Sequence, residues 1–237
     1  MVDQKQLFDA LGKMGVDFFT GVPDSLLNDF CLYMVKNIPD GQHVMAANEG
    51  NAIGIAAGHY MATGNIPVVY MQNSGIGNAT NPLLSLTHDC VYGIPMVLVI
   101  GWRGDPAIND HAQHKKQGEL TPVLMKDMDI PYEILDTEET VVEKFARAVN
   151  KAKEISSPVA LIAKKAILTE KIEQAANTEK SQQNFANMNM NQYFLKCIVN
   201  GTDSIITHED ARETVAIVEA AYKSAREGRR VSLAEIG

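Results

Sequence analysis

Short apolar segments alternate with amphipathic segments along the first 170 residues of the chain. The helix-like segment Gln4–Met14 precedes the apolar segment Val16–Gly21, which predicts a helix followed by a strand. The order then repeats in His43–Ala47 before the predicted helix Glu49–Thr63, in Pro67–Gln72 before Asn73–His88, and in Pro95–Gly101 before a polar loop. Such alternation is typical of a mostly parallel sheet with helices on both faces. We predict an α/β fold with ligands bound at the carboxyl ends of the strands.

The composition changes near residue 170, after Tyr132–Leu135, a predicted helix Glu138–Ile155 and Pro158–Ala163 complete the pattern. Residues 171–192 are polar, rich in Asn and Gln, and contain neither Gly nor Pro, which fits a linker or a solvated helix. Residues 193–237 are too few to build a large core of their own. We therefore predict a domain at 1–170, a linker or helix at 171–192, and a small α/β appendage at 193–237.

Charge and cysteine content exclude several classes of function. The formal net charge is −8, which gives no general reason to expect nucleic acid or an anionic membrane as a partner. The three cysteines are far apart in sequence, so neither a disulfide framework nor a zinc-ligand spacing is present. The sequence contains no run of about 18 apolar residues, so it predicts no membrane-spanning helix. These features favour a cytoplasmic protein with a small-molecule or protein partner.

The segment 46–58 is the most informative part of the sequence. Its glycines at positions 50, 54 and 58 fall on one face of a helix, where another backbone or a planar ligand could approach closely. Each glycine inside a helix costs about 1 kcal/mol relative to alanine, so three of them need a structural or functional reason. Glu49 lies where strand meets helix, and there the helix dipole favours a carboxylate. A structural role for Glu49 remains the alternative.

Three polar loops follow the first three predicted strands and converge on one edge of the sheet. They are Gly21–Ser25, Ala47–Gly50 and Gln72–Asn78. Gly75 and Gly77 resemble part of a dinucleotide fingerprint, but Thr80 stands where a third glycine would be expected and no acidic strand end follows. The pattern therefore gives little support to a nicotinamide site.

The motifs in these loops, taken together, resemble thiamine-diphosphate-dependent 2-oxoacid decarboxylases. The strings that carry the resemblance are GVPDS, AANEG with its glycine-rich helix, YMQNSGIGN, NPLLSL, and IGWRG followed by QHKKQG. The resemblance covers residues 1–170 and is strongest to the members that act on phosphonopyruvate, with those that act on sulfopyruvate second. It implies a pyrimidine-binding domain, thiamine diphosphate as cofactor, a 2-oxoacid substrate, and the conversion of phosphonopyruvate to phosphonoacetaldehyde and carbon dioxide.

The resemblance also implies roles for individual residues. Glu49 would hydrogen-bond the aminopyrimidine ring of the cofactor, and Asp24 and His114 would manage protons beside the substrate. The remaining residues predicted to line the site are Gln72, Asn73 and Ser74 for the cofactor and Ser25, Arg103 and Lys115, together with Asp24, for the substrate. An anionic substrate needs cationic partners. Solvated surface charge is the alternative for Arg103, Lys115 and the neighbouring Lys116.

The chain departs from the family after residue 170. Single-chain members are longer, because a second domain binds Mg²⁺ and the diphosphate through a Gly-Asp-Gly motif; Gly104–Pro106 is the nearest string here and lies in the wrong context. We expect a homo-oligomer or a partner chain that carries the diphosphate-binding domain, and the chain alone to be inactive. The segments 194–201, 209–212 and 220–228 instead resemble the closing part of glucose-fructose-oxidoreductase-like dehydrogenases, without a nucleotide-binding loop.

Alternatives remain open from the sequence. A sulfopyruvate decarboxylase alpha subunit or an acetolactate-synthase-like enzyme would use the same cofactor chemistry. A non-catalytic or regulatory module would keep the fold without turnover. His111 and His114 have the spacing of a metal-binding pair, but we identify no acidic ligand fixed beside them and predict no metal site.

Overall fold

A computed structural model of the chain describes residues 2–169 together with Lys223, Arg226, Glu227, Arg229 and Glu235. Within residues 2–169 there are six α-helices and six strands. The helices are α1 (Gln4–Lys13), α2 (Asn28–Asn37), α3 (Glu49–Thr63), α4 (Ile76–Pro82), α5 (Ala112–Asp127) and α6 (Val141–Ile155). The strands are β1 (Phe19–Gly21), β2 (His43–Met45), β3 (Val68–Gln72), β4 (Val97–Gly101), β5 (Tyr132–Leu135) and β6 (Val159–Ala163).

The six strands form one sheet in the order β2-β1-β3-β4-β6-β5, and every neighbouring pair is parallel. The predicted α/β fold is confirmed. Register aligns the strand ends, because Gln72 at the end of β3 pairs with Gly101 at the end of β4. The loops after β1, β2, β3 and β4 therefore begin at the same edge, as the sequence predicts.

Two apolar clusters cover the two faces of the sheet. One buries side chains of α1, α2 and α6, including the fully buried Phe30 and Phe145. The other buries side chains of α3, α4 and α5, including Ile53 and Met125. The central strands β4 and β6 are buried along their whole length and β3 is buried up to Gln72, as a doubly covered parallel sheet requires, whereas the edge strands β2 and β5 are partly exposed. Burying both faces fixes the register and thereby the positions of the loops at the strand ends.

The helix bounds differ most from the sequence predictions in two places. The predicted helix Asn73–His88 is a 3₁₀ turn at Asn73–Gly75, then α4, then a π-helical turn at Leu83–Thr87. The helix α5 follows the loop after β4 and is absent from the sequence prediction. Its Gly118 and Pro122 are poor helix formers, so local preference hides it. In contrast, the predicted helix Glu49–Thr63 matches α3 at both ends.

The chain divides into two units between residues 173 and 174. The predicted linker and the predicted appendage lie outside the described residues, apart from the five positions after 169, and the division at 170 and 192 stays a prediction. Among the described residues, no helix is both long and apolar enough to cross a membrane.

Candidate active site

Glu49 is the first residue of α3, at the edge where the strands end. The side chain of Asn48 caps this helix by accepting a hydrogen bond from the Asn51 backbone N–H (2.9 Å). The half-buried Glu49 accepts a hydrogen bond at Oε2 from Asn78 Nδ2 (2.8 Å). Its Cγ, Cδ and Oε1 lie where any side chain at Gly75 would begin. The loop after β3 therefore holds the carboxylate from two sides, with its position set by a glycine and an amide.

Asp24 lies in the loop after β1, and its side chain is only 2% exposed. Its Oδ1 is 3.9 Å from Nε of Arg103, the second residue after β4. Asp24 Oδ2 occupies the space that a side chain at Gly101 would fill. Burial raises the pKa of Asp24 above the ordinary value, and the charge of Arg103 offsets part of that effect. This environment favours a protonated carboxyl group at higher pH than an exposed aspartate would allow.

Arg103 connects the loops after β1 and β4. Its Nη2 donates to Ser25 Oγ, while its Nε and Asp24 Oδ2 are buried and have no hydrogen-bond partner within the described part of the chain. Buried polar atoms normally have a partner. A bound polar group can supply the missing partners of these two atoms, one an acceptor and one a donor.

His114 lies in the first turns of α5, and its Nδ1 is 3.0 Å from Asp110 Oδ1. Asp110 also accepts hydrogen bonds from the backbone N–H of Gly104 (2.9 Å) and of His111 (2.7 Å). These three bonds hold the pKa of Asp110 well below its usual range. From the sequence we identify no acidic group fixed beside His111 and His114. That interpretation is wrong, because the turn before α5 brings Asp110 into contact with His114.

Asn73 is fully buried, and its side chain joins the loop after β4 to α5. Its Nδ2 donates to the Arg103 carbonyl oxygen (2.8 Å) and to Thr121 Oγ1 (2.9 Å). Gln117 Nε2 donates to the Asn73 carbonyl oxygen (3.0 Å). These contacts position Arg103, and the role of Asn73 as a cofactor ligand stays a prediction.

Gln72 and Ser74 are joined to each other, since Gln72 Nε2 donates to Ser74 Oγ (2.7 Å). Lys115 is exposed next to His114 on α5. The structure thus brings Asp24, Ser25 and Arg103 into direct contact. His114 lies close enough to Asp24 to influence the pKa of its carboxyl group. Glu49 belongs to a second group with Gly75 and Asn78, and among the described residues no hydrogen bond or ion pair joins it to Asp24.

The roles of four residues of the site are not predicted from the sequence: Asn78, Asp110, Gly104 and Gly118. A side chain at Gly118 would overlap the carbonyl group of Gly104, and one at Gly104 would overlap the backbone of His114. The loop after β4 can lie against α5 only because both residues are glycine. A sequence signal existed for Asp110, which precedes His114 by four residues, but the close glycine contact depends on distant parts of the chain.

The residues at this edge fit an aminopyrimidine cofactor. A carboxylate held beside glycine at Gly75 can meet a planar ring edge, and the unsatisfied atoms of Asp24 and Arg103 can meet a polar substrate. The part of the chain that the structure describes contains one group of three potential metal ligands, His88, Asp89 and Cys90, in the turn before β4.

Two solved structures of decarboxylases have a similar fold. The benzoylformate decarboxylase of Polynucleobacter necessarius superposes with a TM-score of 0.53 at 19% identity, over 76% of this chain and 33% of that one. The thiamine diphosphate-dependent 4-hydroxybenzoylformate decarboxylase of Rhodococcus jostii gives a TM-score of 0.50 at 20% identity, over 69% of this chain and 30% of that one. At this identity the likeness establishes the fold alone.

Sequence comparison defines the family. Residues 3–125 match the thiamine pyrophosphate enzyme family, N-terminal TPP binding domain, and the chain belongs to it. The resemblance inferred from the motifs is confirmed, with thiamine diphosphate as the cofactor of the family.

The matched relatives are decarboxylases. Phosphonopyruvate decarboxylase of Streptomyces viridochromogenes is 33% identical over 147 residues, which is 62% of this chain and 36% of the relative. Sulfopyruvate decarboxylase subunit alpha is 36% identical over 126 residues in Methanococcus maripaludis (53% of this chain, 72% of the relative) and 33% over 156 residues in Methanocaldococcus jannaschii (66% and 89%). The chain thus spans about a third of the phosphonopyruvate decarboxylases it matches.

Proposed function

We propose that residues 1–170 are the pyrimidine-binding part of a decarboxylase that converts phosphonopyruvate to phosphonoacetaldehyde and carbon dioxide. The observation that carries the proposal is the position of Glu49, held between Gly75 and Asn78 at the edge that also carries Asp24 and Arg103. When bound, thiamine diphosphate would supply a carbon nucleophile for the 2-oxoacid and would accept the electron pair that stays behind when carbon dioxide leaves.

Glu49 has the role of holding a proton at the cofactor ring. Its Oε2 already accepts from Asn78, so Oε1, beside Gly75, is the oxygen left to face a ring nitrogen. A carboxyl group at this position can take up and return a proton, whereas a carboxamide of the same shape cannot. Gln72 and Ser74 lie on the neighbouring loop and complete our proposed cofactor contacts.

Arg103 has the role of binding the anionic end of the substrate. Its guanidinium group is anchored on Ser25, while its buried Nε has no hydrogen-bond partner among the described residues. Guanidinium groups bind phosphonate and sulfonate oxygens through paired, charge-assisted hydrogen bonds. Ser25, which accepts from Arg103, and the exposed Lys115 of α5 complete our proposed substrate contacts.

Asp24 and His114 have the role of moving protons next to the substrate. The raised pKa of Asp24 allows its carboxyl group to donate a proton from Oδ2, the oxygen that lacks a partner. His114 holds Nδ1 against Asp110 and can exchange a proton at Nε2. Removing water from this buried edge would strengthen each interaction.

We further propose that the diphosphate and Mg²⁺ are bound by a second domain on a partner chain, in a cytoplasmic oligomer. The support is the chain's match to proteins named alpha subunits, of which it spans 72% and 89%. That observation also favours a second candidate substrate, sulfopyruvate. An acetolactate-synthase-like reaction has no comparable support.

The test is a coupled assay for aldehyde release by the full chain mixed with a partner carrying the diphosphate-binding domain, thiamine diphosphate and Mg²⁺. Phosphonopyruvate, sulfopyruvate and pyruvate are compared as substrates. Glu49→Gln should lower turnover about 10²- to 10⁴-fold, because it removes proton exchange at the ring. Glu154→Gln, an exposed residue of α6, is the matched control and should leave turnover unchanged. Equal turnover by both variants would support a non-catalytic module, and full turnover without a partner would refute the need for one.

A further inference from the structure

The carboxylate of Asp110 contacts two backbone N–H groups and one imidazole ring. Its carboxylate accepts from Gly104 N–H, at the start of the loop after β4, and from His111 N–H, just before α5. The remaining bond is to the ring of His114, at 3.0 Å from Nδ1. The side chains of Asp110 and His114 are 14% and 17% exposed, so water competes weakly for this bond.

The contact restricts where the imidazole ring carries its proton. A carboxylate oxygen can only accept, so Nδ1 must carry hydrogen for the 3.0 Å contact to be favourable. In the neutral ring, Nε2 then has the free electron pair. The amide nitrogen of Gln113 lies 3.5 Å from Nε2 and can donate toward it, which agrees with this assignment.

Two other titratable groups lie near the ring of His114. Asp24 is the acidic group that faces His114 from the loop after β1, and its pKa responds to the histidine. The ring of His111 lies edge-on, with 5.9 Å between ring centroids. Neither group competes with Asp110 for Nδ1 in the part of the chain that the structure describes.

We propose that Asp110 is a positioning residue that fixes the Nδ1–H tautomer of His114 and leaves Nε2 as the atom that exchanges protons with the substrate. The second half of this statement rests on the proposed function, whereas the tautomer itself does not. A histidine acts as an acid or base at one nitrogen only when the other is held, so the wrong tautomer presents N–H where an acceptor is needed.

The chain contains a matched contrast. His59 is held by Asp17 through the other nitrogen, with Nε2 3.0 Å from Asp17 Oδ1. Thr63 donates its hydroxyl hydrogen to the His59 carbonyl oxygen, so its Oγ1 can also accept from Nε2. His59 should therefore be the Nε2–H tautomer, opposite to His114, although both rings contact an aspartate.

Long-range proton–nitrogen NMR correlation on the full chain with ¹⁵N-labelled histidine tests the proposal at about pH 8.5, above the ordinary histidine pKa. Ring nitrogens with and without hydrogen resonate in separate regions, so each tautomer is read directly. Wild-type protein should give Nδ1–H for His114 and Nε2–H for His59, with His114→Gln providing the assignment. An Nε2–H ring at His114 in the wild type would overturn the proposal, whether or not any variant folds.

Asp110→Ala should move His114 toward Nε2–H, the form that free histidine prefers, while His59 stays unchanged. Asp17→Ala is the control and should leave His114 unchanged. In the assembled enzyme, Asp110→Ala should lower kcat about 10²-fold with little change in KM. A changed tautomer with unchanged kcat would refute only the catalytic use of Nε2. An unchanged tautomer in a folded Asp110→Ala protein would refute the positioning role of Asp110.

Discussion

Gly75 sets the position of the Glu49 carboxylate, and replacing it with alanine tests that statement. The backbone at Gly75 has φ −72° and ψ −13°, a conformation that alanine adopts without strain. The new Cβ would overlap Glu49 Cγ and Cδ, which belong to a half-buried, flexible side chain. Glu49 can therefore turn away, but it must give up the hydrogen bond from Asn78.

Two opposing contributions to the free energy of unfolding nearly cancel in Gly75→Ala. Replacing glycine with alanine stabilises a protein by about 0.4–1 kcal/mol through the unfolded chain when the backbone is compatible. Losing one charge-assisted hydrogen bond at a half-exposed site costs about 1 kcal/mol. Gly75→Ala should thus change the free energy of unfolding by less than about 0.5 kcal/mol. Gly77→Ala, two residues further on, meets nothing within 4 Å and should gain the full increment.

Urea unfolding of both variants measures the difference, which should be about 1 kcal/mol in favour of Gly77→Ala. The Asn78 side-chain amide resonances should shift in Gly75→Ala and stay in place in Gly77→Ala. If Gly75→Ala were as stable as Gly77→Ala and left those resonances unmoved, Gly75 would not determine where Glu49 lies.

Further measurements address the other parts of the site. Burial raises the folded-state pKa of Asp24, so ionisation of this carboxyl group destabilises the folded chain as pH rises through that pKa. In urea titrations, Asp24→Asn should therefore gain stability relative to wild type upward from about pH 4. A pH-independent difference between the two proteins would contradict this. Gly118→Ala places a Cβ on the Gly104 carbonyl and should cost about 1–3 kcal/mol in thermal unfolding, whereas Gly12→Ala in α1, with open space around it, should not destabilise. Burial raises the pKa of Cys31 to about 11, so alkylation near pH 8 followed by peptide mapping should label the exposed Cys90 far faster than Cys31.

The fold could be predicted from the sequence because its signals are local. The helix Glu49–Thr63 begins at an asparagine cap and ends before Gly64, which adopts φ 76°, so both ends are encoded by neighbouring residues. Helix α5 could not be predicted in this way. Gly118 is there because Gly104 crosses it, and the two residues are brought together only by the folded sheet.

In the candidate site, too, some residues could be predicted from local sequence and others could not. Glu49, Asp24 and Arg103 follow directly from strand ends, so a parallel sheet collects their loops at one edge. The functions of Asn73 and Asp110 depend on which partners they find. Asn73 follows a strand as a cofactor ligand would, yet its amide is used in holding Arg103 and Thr121.

The contact between Gly104 and Gly118 has a mechanical consequence. Backbone meets backbone there, and Trp102 Nε1 also donates to the Gly118 carbonyl oxygen (2.9 Å). A contact without side chains has no rotamer that can absorb a displacement. A force that shifts α5, such as the docking of another chain, would therefore move His114 and the loop that carries Arg103 together as a rigid unit.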